Sequence, residues 1–299
     1  MKILMSGSSG LVGTETRKVL IQAGHSVCRL VRRPPSEGEF FWDPSAGRLD
    51  AADLEGFDAV VHLAGENIGA KARWTASHKQ RVRDSRLQST RLLAGALAGL
   101  NRPPAVLVCA SATGIYGHRG GELLAETAPP GSGFLAELCR DWEAAAAPAS
   151  QAGVRVVHLR LGIILALAGG ALPAMLPWFR RGLGGRLGDG RQWWSWLTLQ
   201  EAAGMIRFVL DRPDLHGPVN AVSPSAVTNA EFTRALARAL KRPALLPAPA
   251  FMLQWFYGEM ADALLLCSAR VRPAALEARG YPFLHSDLET ALDAVLRER

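Results

Sequence analysis

The stretch that most constrains this chain is Lys2 to Arg33, which reads as strand, glycine-rich turn, helix and second strand. Lys2–Met5 is a short apolar run. Gly7-Ser-Ser-Gly10-Leu11-Val12-Gly13 then opens a helix expected to reach about Ala23, and Val27–Val31 is the next strand. Glycines at this spacing let the backbone turn tightly, approach a pyrophosphate and pack a helix on a sheet. The helix start at Leu11 and Val12 offers free N–H groups and a positive dipole end to the phosphate. A glycine triplet alone is a weak signal, but here it sits in the strand–turn–helix context that dinucleotide binding requires. The blander alternative is a tight turn that holds nothing.

The end of the second strand bears on which dinucleotide. An NAD-preferring site carries an acid about 20 residues past the glycines to hold the ribose 2′-hydroxyl. Here Val31, Arg32 and Arg33 stand at that place, with no acid before Glu37. A carboxylate would repel a 2′-phosphate, whereas guanidinium groups grip it. The reading is NADP(H), with two solvated arginines as the alternative.

The chain has 299 residues, 48% of them hydrophobic, enough for one large core or two smaller ones. Its net charge of +7 is spread along the sequence, which suits phosphate-bearing ligands without marking a nucleic-acid surface. Cys28, Cys109, Cys139 and Cys267 lie far apart with no C-x-x-C pair, so neither a disulfide framework nor a metal site is expected. The N-terminus lacks the pattern of a signal peptide, and the uncharged stretch 162–179 is interrupted by a glycine pair, Pro173 and Pro177. A strand running into a loop and short helix explains it better than a membrane span. The expectation is a cytoplasmic protein with a small-molecule substrate and no nucleic-acid or membrane partner.

Further strands at 58–64, 105–110, 154–161 and 218–222 alternate with helices at about 74–100, 134–151, 201–211 and 229–240. This is the pattern of an α/β, Rossmann-type, doubly wound parallel sheet. Ligands in such sheets bind beyond the C-terminal strand ends, here Gly7, Arg32, Leu63-Ala64-Gly65, Ser111 and Gly162. The expected division is a sheet domain of residues 1–165 with 196–222. Residues 166–195 and 223–299 then form a small, mostly helical C-terminal lobe on the substrate side.

Gly7-x-x-Gly10-x-x-Gly13, His62-Leu-Ala-Gly65 and Ser111-Ala-Thr-Gly-Ile-Tyr116-Gly117 resemble an extended short-chain dehydrogenase/reductase. Ala64-Gly-Glu-Asn-Ile68, Arg73-Trp74, Ser85-Arg86, Trp142-Glu143 and Gln192-x-x-x-Trp196 narrow the resemblance to the atypical, YfcH-like "epimerase family". It implies an NADP(H)-binding Rossmann domain with Gly7, Gly10 and Val12 at the pyrophosphate and Arg32 at the 2′-phosphate. Leu63 and Ala64 would lie along the cofactor, Ile164 on the nicotinamide side, and Arg86 at phosphate or ribose.

Working short-chain dehydrogenases use a Tyr as proton donor with a Lys four residues on, which lowers the phenol's pKa. None of this chain's three tyrosines has such a lysine, and aligning through Trp142-Glu143 puts Leu135 and Cys139 at the two positions. The substitute donors are Glu66, which follows a strand end and would gain basicity once desolvated, then Tyr116, then Glu126. Each has a structural alternative. Trp74, Trp193, Trp194 and Trp196 could line an apolar slot. Three functions stay open: an oxidoreductase or epimerase with a non-standard site, a catalytically silent NADP(H)-binding sensor or partner-binding protein, and, weakest because Gly7, Gly10, Gly13 and Arg32 speak against it, a structural or regulatory protein that keeps the fold without the ligand.

Overall fold

The computed structural model describes residues 1–71 and 73–297. Its first half runs β1 (Lys2–Ser6), α1 (Leu11–Gln22), β2 (Ser26–Val31), β3 (Glu39–Asp43), β4 (Arg48–Leu49), β5 (Ala59–His62), α2 (Ala76–Ala98) and β6 (Val106–Ala112). Then follow β7 (Leu123–Leu124), α3 (Phe134–Ala144), α4 (Ala147–Gln151), β8 (Arg155–Leu161), β9 (Ile163–Leu165) and α5 (Ala171–Arg180). The chain continues through β10 (Trp193–Trp194), β11 (Trp196–Thr198), α6 (Leu199–Leu210), β12 (Gly217–Ala221), β13 (Val227–Thr228) and α7 (Asn229–Leu240). It closes with α8 (Ala250–Tyr257), β14 (Arg270–Val271), α9 (Ala274–Glu277) and α10 (Leu288–Arg297).

Eight strands form one sheet in the order β12-β8-β6-β5-β1-β2-β3-β4, parallel except for the β3–β4 edge pair. The inner strands are buried on both faces, which is why they read as unbroken apolar runs. Side chains still alternate between the two sides. Ile3, Met5, Val61 and Val108 meet Leu20 of α1 and Met205, Ile206 and Val209 of α6. Leu4, Val60 and Leu107 meet Leu93 and Leu97 of α2 and Ala149 of α4. The doubly wound sheet expected from the sequence is therefore present.

Some boundaries differ from those read in the sequence. The helix expected over 134–151 is two helices, because Pro148 falls in the first turn of the second one, where its missing N–H does no harm. Helix α2 starts at Ala76 because Thr75 caps it, accepting from His78 N at 3.1 Å. Strand β3 was not read at all: five residues with Phe40, Phe41 and Trp42 in a row set no period.

A second core gathers Leu172, Leu176 and Phe179 of α5, Phe232 and Leu236 of α7, and Leu292 and Val295 of α10 around Trp194 and Trp196. Helix α7 begins with a reciprocal capping box between Thr228 and Glu231. No helix among the described residues is long and apolar enough to cross a membrane.

Candidate cofactor groove and active-site cavity

From β1 the chain steps one way to β2 and β3, and from β5 it steps the other way to β6 and β8. The reversal between β1 and β5 opens a crevice at their C-terminal ends. Gly7 ends β1 with φ +67°, and a Cβ there would lie 2.5 Å from the Leu63 carbonyl carbon and 2.6 Å from the Ala64 nitrogen. A Cβ on Gly13 would lie 2.1 Å from the Gly7 oxygen. Only glycine lets these backbones close up at the crevice. Gly10 is the N-cap of α1. The N–H groups at Leu11 and Val12 therefore start a helix whose positive end has no side-chain cap and no acid in its first turn. The Leu11 side chain packs toward the Gly169-Gly170 segment.

Arg32 and Arg33, read as a pair in the sequence, are not equivalent. Arg33 donates to Glu39 at 2.7 Å and to the Pro34 carbonyl at 2.9 Å. Glu39 is buried, also holds Arg29, and accepts from Ser36 N at 2.9 Å. That backbone bond, with Arg33 beside it, holds the carboxyl below its ordinary range. Arg32 is exposed and has no side-chain partner among the described residues. It is the free guanidinium at the end of β2.

Leu63, Ala64 and Gly65 continue β5 along the crevice, and Arg86 of α2 braces them. Its Nη1 donates to the Glu66 carbonyl at 2.9 Å and the Val82 carbonyl at 3.2 Å, and the guanidinium lies 5.0 Å from the Trp142 ring. Burial pulls the Arg86 pKa below its ordinary value. Beyond this loop lies a cavity of about 290 Å³. Its walls come from the end of β6 (Ala112–Gly114), from α3 (Leu135, Leu138, Cys139), and from Gly162 and Ile163. Trp193, Trp194 and Ser195 close one side and Ala263, Leu264 and Cys267 another. A Cβ on Gly162 would lie 2.5 Å from the Ser195 carbonyl oxygen, so this glycine lets β9 and β11 meet beside the cavity. Ile164 does not line it but packs against the main core.

None of the three substitute proton donors lines this cavity. Glu66 is exposed, and its backbone rather than its carboxylate serves the site, accepting from Arg86 and donating to Ser85 Oγ at 3.0 Å. Its carboxylate lies outside the cavity lining. Tyr116 is 0% exposed; its hydroxyl donates to Asn220 Oδ1 at 2.7 Å and accepts from Arg160 at 2.9 Å. Burial raises the phenol's pKa further. Glu126 accepts from the backbone N–H groups of Asn220 and Ala275 at 3.0 and 3.1 Å, so it ties the lobe to β12. Ser111, expected at the cofactor, is buried and donates to Glu143 at 2.7 Å.

Sequence reasoning missed the network behind these residues. Glu143 of α3 takes two bonds from Arg160 of β8, both 2.9 Å, and Arg160 continues to Tyr116 and Asn220. Burial alone would lower the Arg160 pKa, but the Glu143 carboxylate outweighs it and raises the group above its ordinary value. An arginine inside the apolar run Val-Val-His-Leu-Arg-Leu was the one signal available. At the position where a lysine would stand, burial pushes the Cys139 thiol up to about 12, with Glu143 adding to it. Of the four tryptophans read as a slot, Trp193 and Trp194 line the cavity. Trp196 is fully buried in the second core, and Trp74 packs edge-on against Phe134.

A model of the NAD dependent epimerase/dehydratase family matches residues 3–222. The chain belongs to that family. A domain of unknown function (DUF1731) matches residues 248–295. The family member "Epimerase family protein Mb2239" of Mycobacterium bovis is 44% identical, over 97% of this chain and 96% of its own length. The crystal structure of human epimerase family protein SDR39U1 (isoform 2) with NADPH superposes with a TM-score of 0.92 at 34% identity, each chain covered fully. A structure described as the nucleoside-diphosphate sugar epimerase from Corynebacterium glutamicum gives 0.83 at 37% identity, over 99% of this chain and 58% of that one. The resemblance read from the sequence motifs is borne out in family and fold.

Proposed function

We propose that this family member binds NADP(H) in the β1–β5 crevice and acts as an oxidoreductase or epimerase on a small molecule, without a Tyr–Lys pair. The observation that carries the reading is the cavity at the far end of the crevice. It is walled by the C-terminal end of β6, by α3 and by Gly162 after β8, at the strand ends beyond which doubly wound sheets bind their ligands. The human relative's structure is described as holding NADPH, and the crevice here fits the same group. Gly7 and Gly13 leave a cradle that a Cβ would fill, the start of α1 is uncapped, and Arg32 is free. Leu11 and Val12 N–H would hold the pyrophosphate, Arg32 the 2′-phosphate, and Leu63–Gly65 the adjoining face, with Arg86 steadying that loop. When bound, the cofactor supplies or accepts hydride. The chain's own part is to position the reacting carbon and exclude water: Leu135, Leu138 and Ile163 close the cavity with apolar walls.

A second reading, a silent NADP(H) sensor, is favoured by one observation: Leu135 and Cys139 present no proton donor titrating near neutrality. Turnover separates the two. The protein is loaded with NADPH and the reduced-nicotinamide absorbance is followed over a panel of carbonyl compounds and sugar nucleotides. Epimerisation is followed by chromatography. Saturable turnover of at least one compound is expected. Tight NADPH binding with no turnover of any compound would overturn the enzyme reading in favour of the sensor.

A further inference from the structure

We propose that the cavity binds a small carboxylate with an apolar body, and that Arg86 holds its charge through the paired Nε–H and Nη2–H edge. This rests on the reading that the cavity is the substrate side of the cofactor groove. Three observations carry it.

The first is the way the Arg86 guanidinium is fixed. Its Nη1 donates to the Glu66 and Val82 carbonyls at 2.9 and 3.2 Å, and the Trp142 ring lies 5.0 Å away. Gly65 closes a further side, where a Cβ would come within 3.2 Å of the guanidinium carbon. The edge that remains is Nε with Nη2. Neither nitrogen has a partner among the described residues, and both open on the cavity. Two parallel N–H groups on one edge match the two oxygens of a carboxylate, and the plane that presents them is already set.

The second is charge balance. No Asp or Glu lines the cavity among the described residues. Glu143 is spent on Arg160 and Ser111, and the Cys139 thiol, pushed up to about 12, stays neutral. The exposed Glu66 carboxylate favours the charged form of Arg86, but less than burial opposes it. A half-buried cation facing an apolar space is costly without a counter-charge, and an anionic ligand supplies one. A second positive charge stands at the wall, since the Arg270 guanidinium lies 4.2 Å from the Trp193 ring. The Trp193 indole N–H has no partner among the described residues and adds a donor to the lining.

The third is the rest of the lining. Leu135, Leu138, Ile163 and Leu264 are apolar, and Ser195 Oγ is spent, donating to the Ala269 carbonyl and accepting from Val271 N, both at 2.8 Å. One open guanidinium edge suits one negative charge. A sugar nucleotide brings a diphosphate and several hydroxyls, and each polar group buried without a partner weakens binding by roughly tenfold or more. The Corynebacterium relative is described as a sugar-nucleotide epimerase; the lining of this chain's cavity sets it apart from that description.

The test is calorimetry on the full chain, first with NADPH alone and then with probes added to the NADPH complex, whose reduced nicotinamide ring is uncharged. The probes are 4-phenylbutanoate, its neutral isostere 4-phenylbutanamide, and UDP-glucose. The acid is expected to bind saturably and at least roughly tenfold tighter than either of the others. Arg86→Gln should weaken the acid by about tenfold or more and leave the amide unchanged. Arg86→Lys, which keeps the charge without the paired edge, should weaken it by about threefold or more. Melting temperatures are checked for all three proteins. No preference for the acid over the amide in the unaltered protein would overturn the proposal, and so would UDP-glucose binding as tightly as the acid. A loss in Arg86→Gln that falls on NADPH and not on the acid would also overturn it, by placing the guanidinium on the cofactor. Failure of NADPH itself to bind the unaltered protein would overturn the cofactor reading, and is seen separately in the first titration.

Discussion

Arg32 and Arg33 are neighbours in sequence, yet only one of them is free to meet a ligand. Arg33 is held by Glu39, while Arg32 has no side-chain partner among the described residues. Arg32→Ala should therefore remove most of a preference for NADPH over NADH that is put at roughly tenfold, about 1.4 kcal/mol. Arg33→Ala should change it little. Calorimetry with both cofactors checks this, and equal losses in the two variants would show that the arginines act together. Glu126 gives a second prediction: Glu126→Ala leaves two backbone N–H groups without their acceptor and should cost about 1–3 kcal/mol of stability. NADPH affinity should not move, because Glu126 joins β12 to the lobe and is not among the residues proposed to hold the cofactor. Urea unfolding and calorimetry read the two quantities separately. The glycines of the crevice were legible in the sequence because their role is a backbone one, set within a few residues. The roles of Glu126 and Tyr116 were not. Their partners lie 94 and 104 positions away in Asn220, and nothing local announces them.

The elements around the crevice are locked by a polar relay that periodicity could not reveal. His62 ends β5 fully buried, meeting Ser6 Oγ of β1 through Nδ1 at 2.6 Å and Thr90 Oγ1 of α2 through Nε2 at 2.9 Å. Trp142 of α3 donates to the same Thr90 oxygen at 2.9 Å, so four elements share one network. Burial lowers the His62 pKa from 6.5 to about 4, which means the fold holds the ring neutral. Above pH 6.5 neither state is protonated there. As pH falls, the unfolded chain takes up a proton that the folded one refuses, so stability declines until pH is near 4. The loss accumulates to about 3 kcal/mol. Denaturant unfolding at steps between neutral pH and about 4.5 should show this slope, and His62→Gln should flatten it. A slope unchanged by the substitution would place the acid sensitivity in other groups. His62 was visible beforehand only as part of a strand and a family motif. That it is a junction of strands and helices needed the sheet order.

At the scale of the whole molecule the two cores meet within two consecutive residues: Trp196 packs in the lobe and Leu197 in the sheet domain. We propose that the division at residues 165–166, 195–196 and 222–223 marks regions that fold as one unit rather than two independent ones. The joining contacts are extensive. Strand β14 of the lobe pairs with β7, Glu126 of the sheet domain holds Ala275 of the lobe, and the cavity draws walls from both sides. A ligand that binds only the folded state stabilises it by about 2.7 kcal/mol when present at a hundred times its Kd. If the lobe and sheet unfold together, NADPH at that excess should move a single thermal transition upward as a whole, although its expected contacts lie in the sheet domain. NADH at the same concentration should move it less, and Arg32→Ala should shrink the difference between the two cofactors. Differential scanning calorimetry with and without cofactor reads all three. A melt that splits into two steps, the lower one indifferent to NADPH, would show that the lobe stands on its own and that the cavity can open without unfolding the cofactor site.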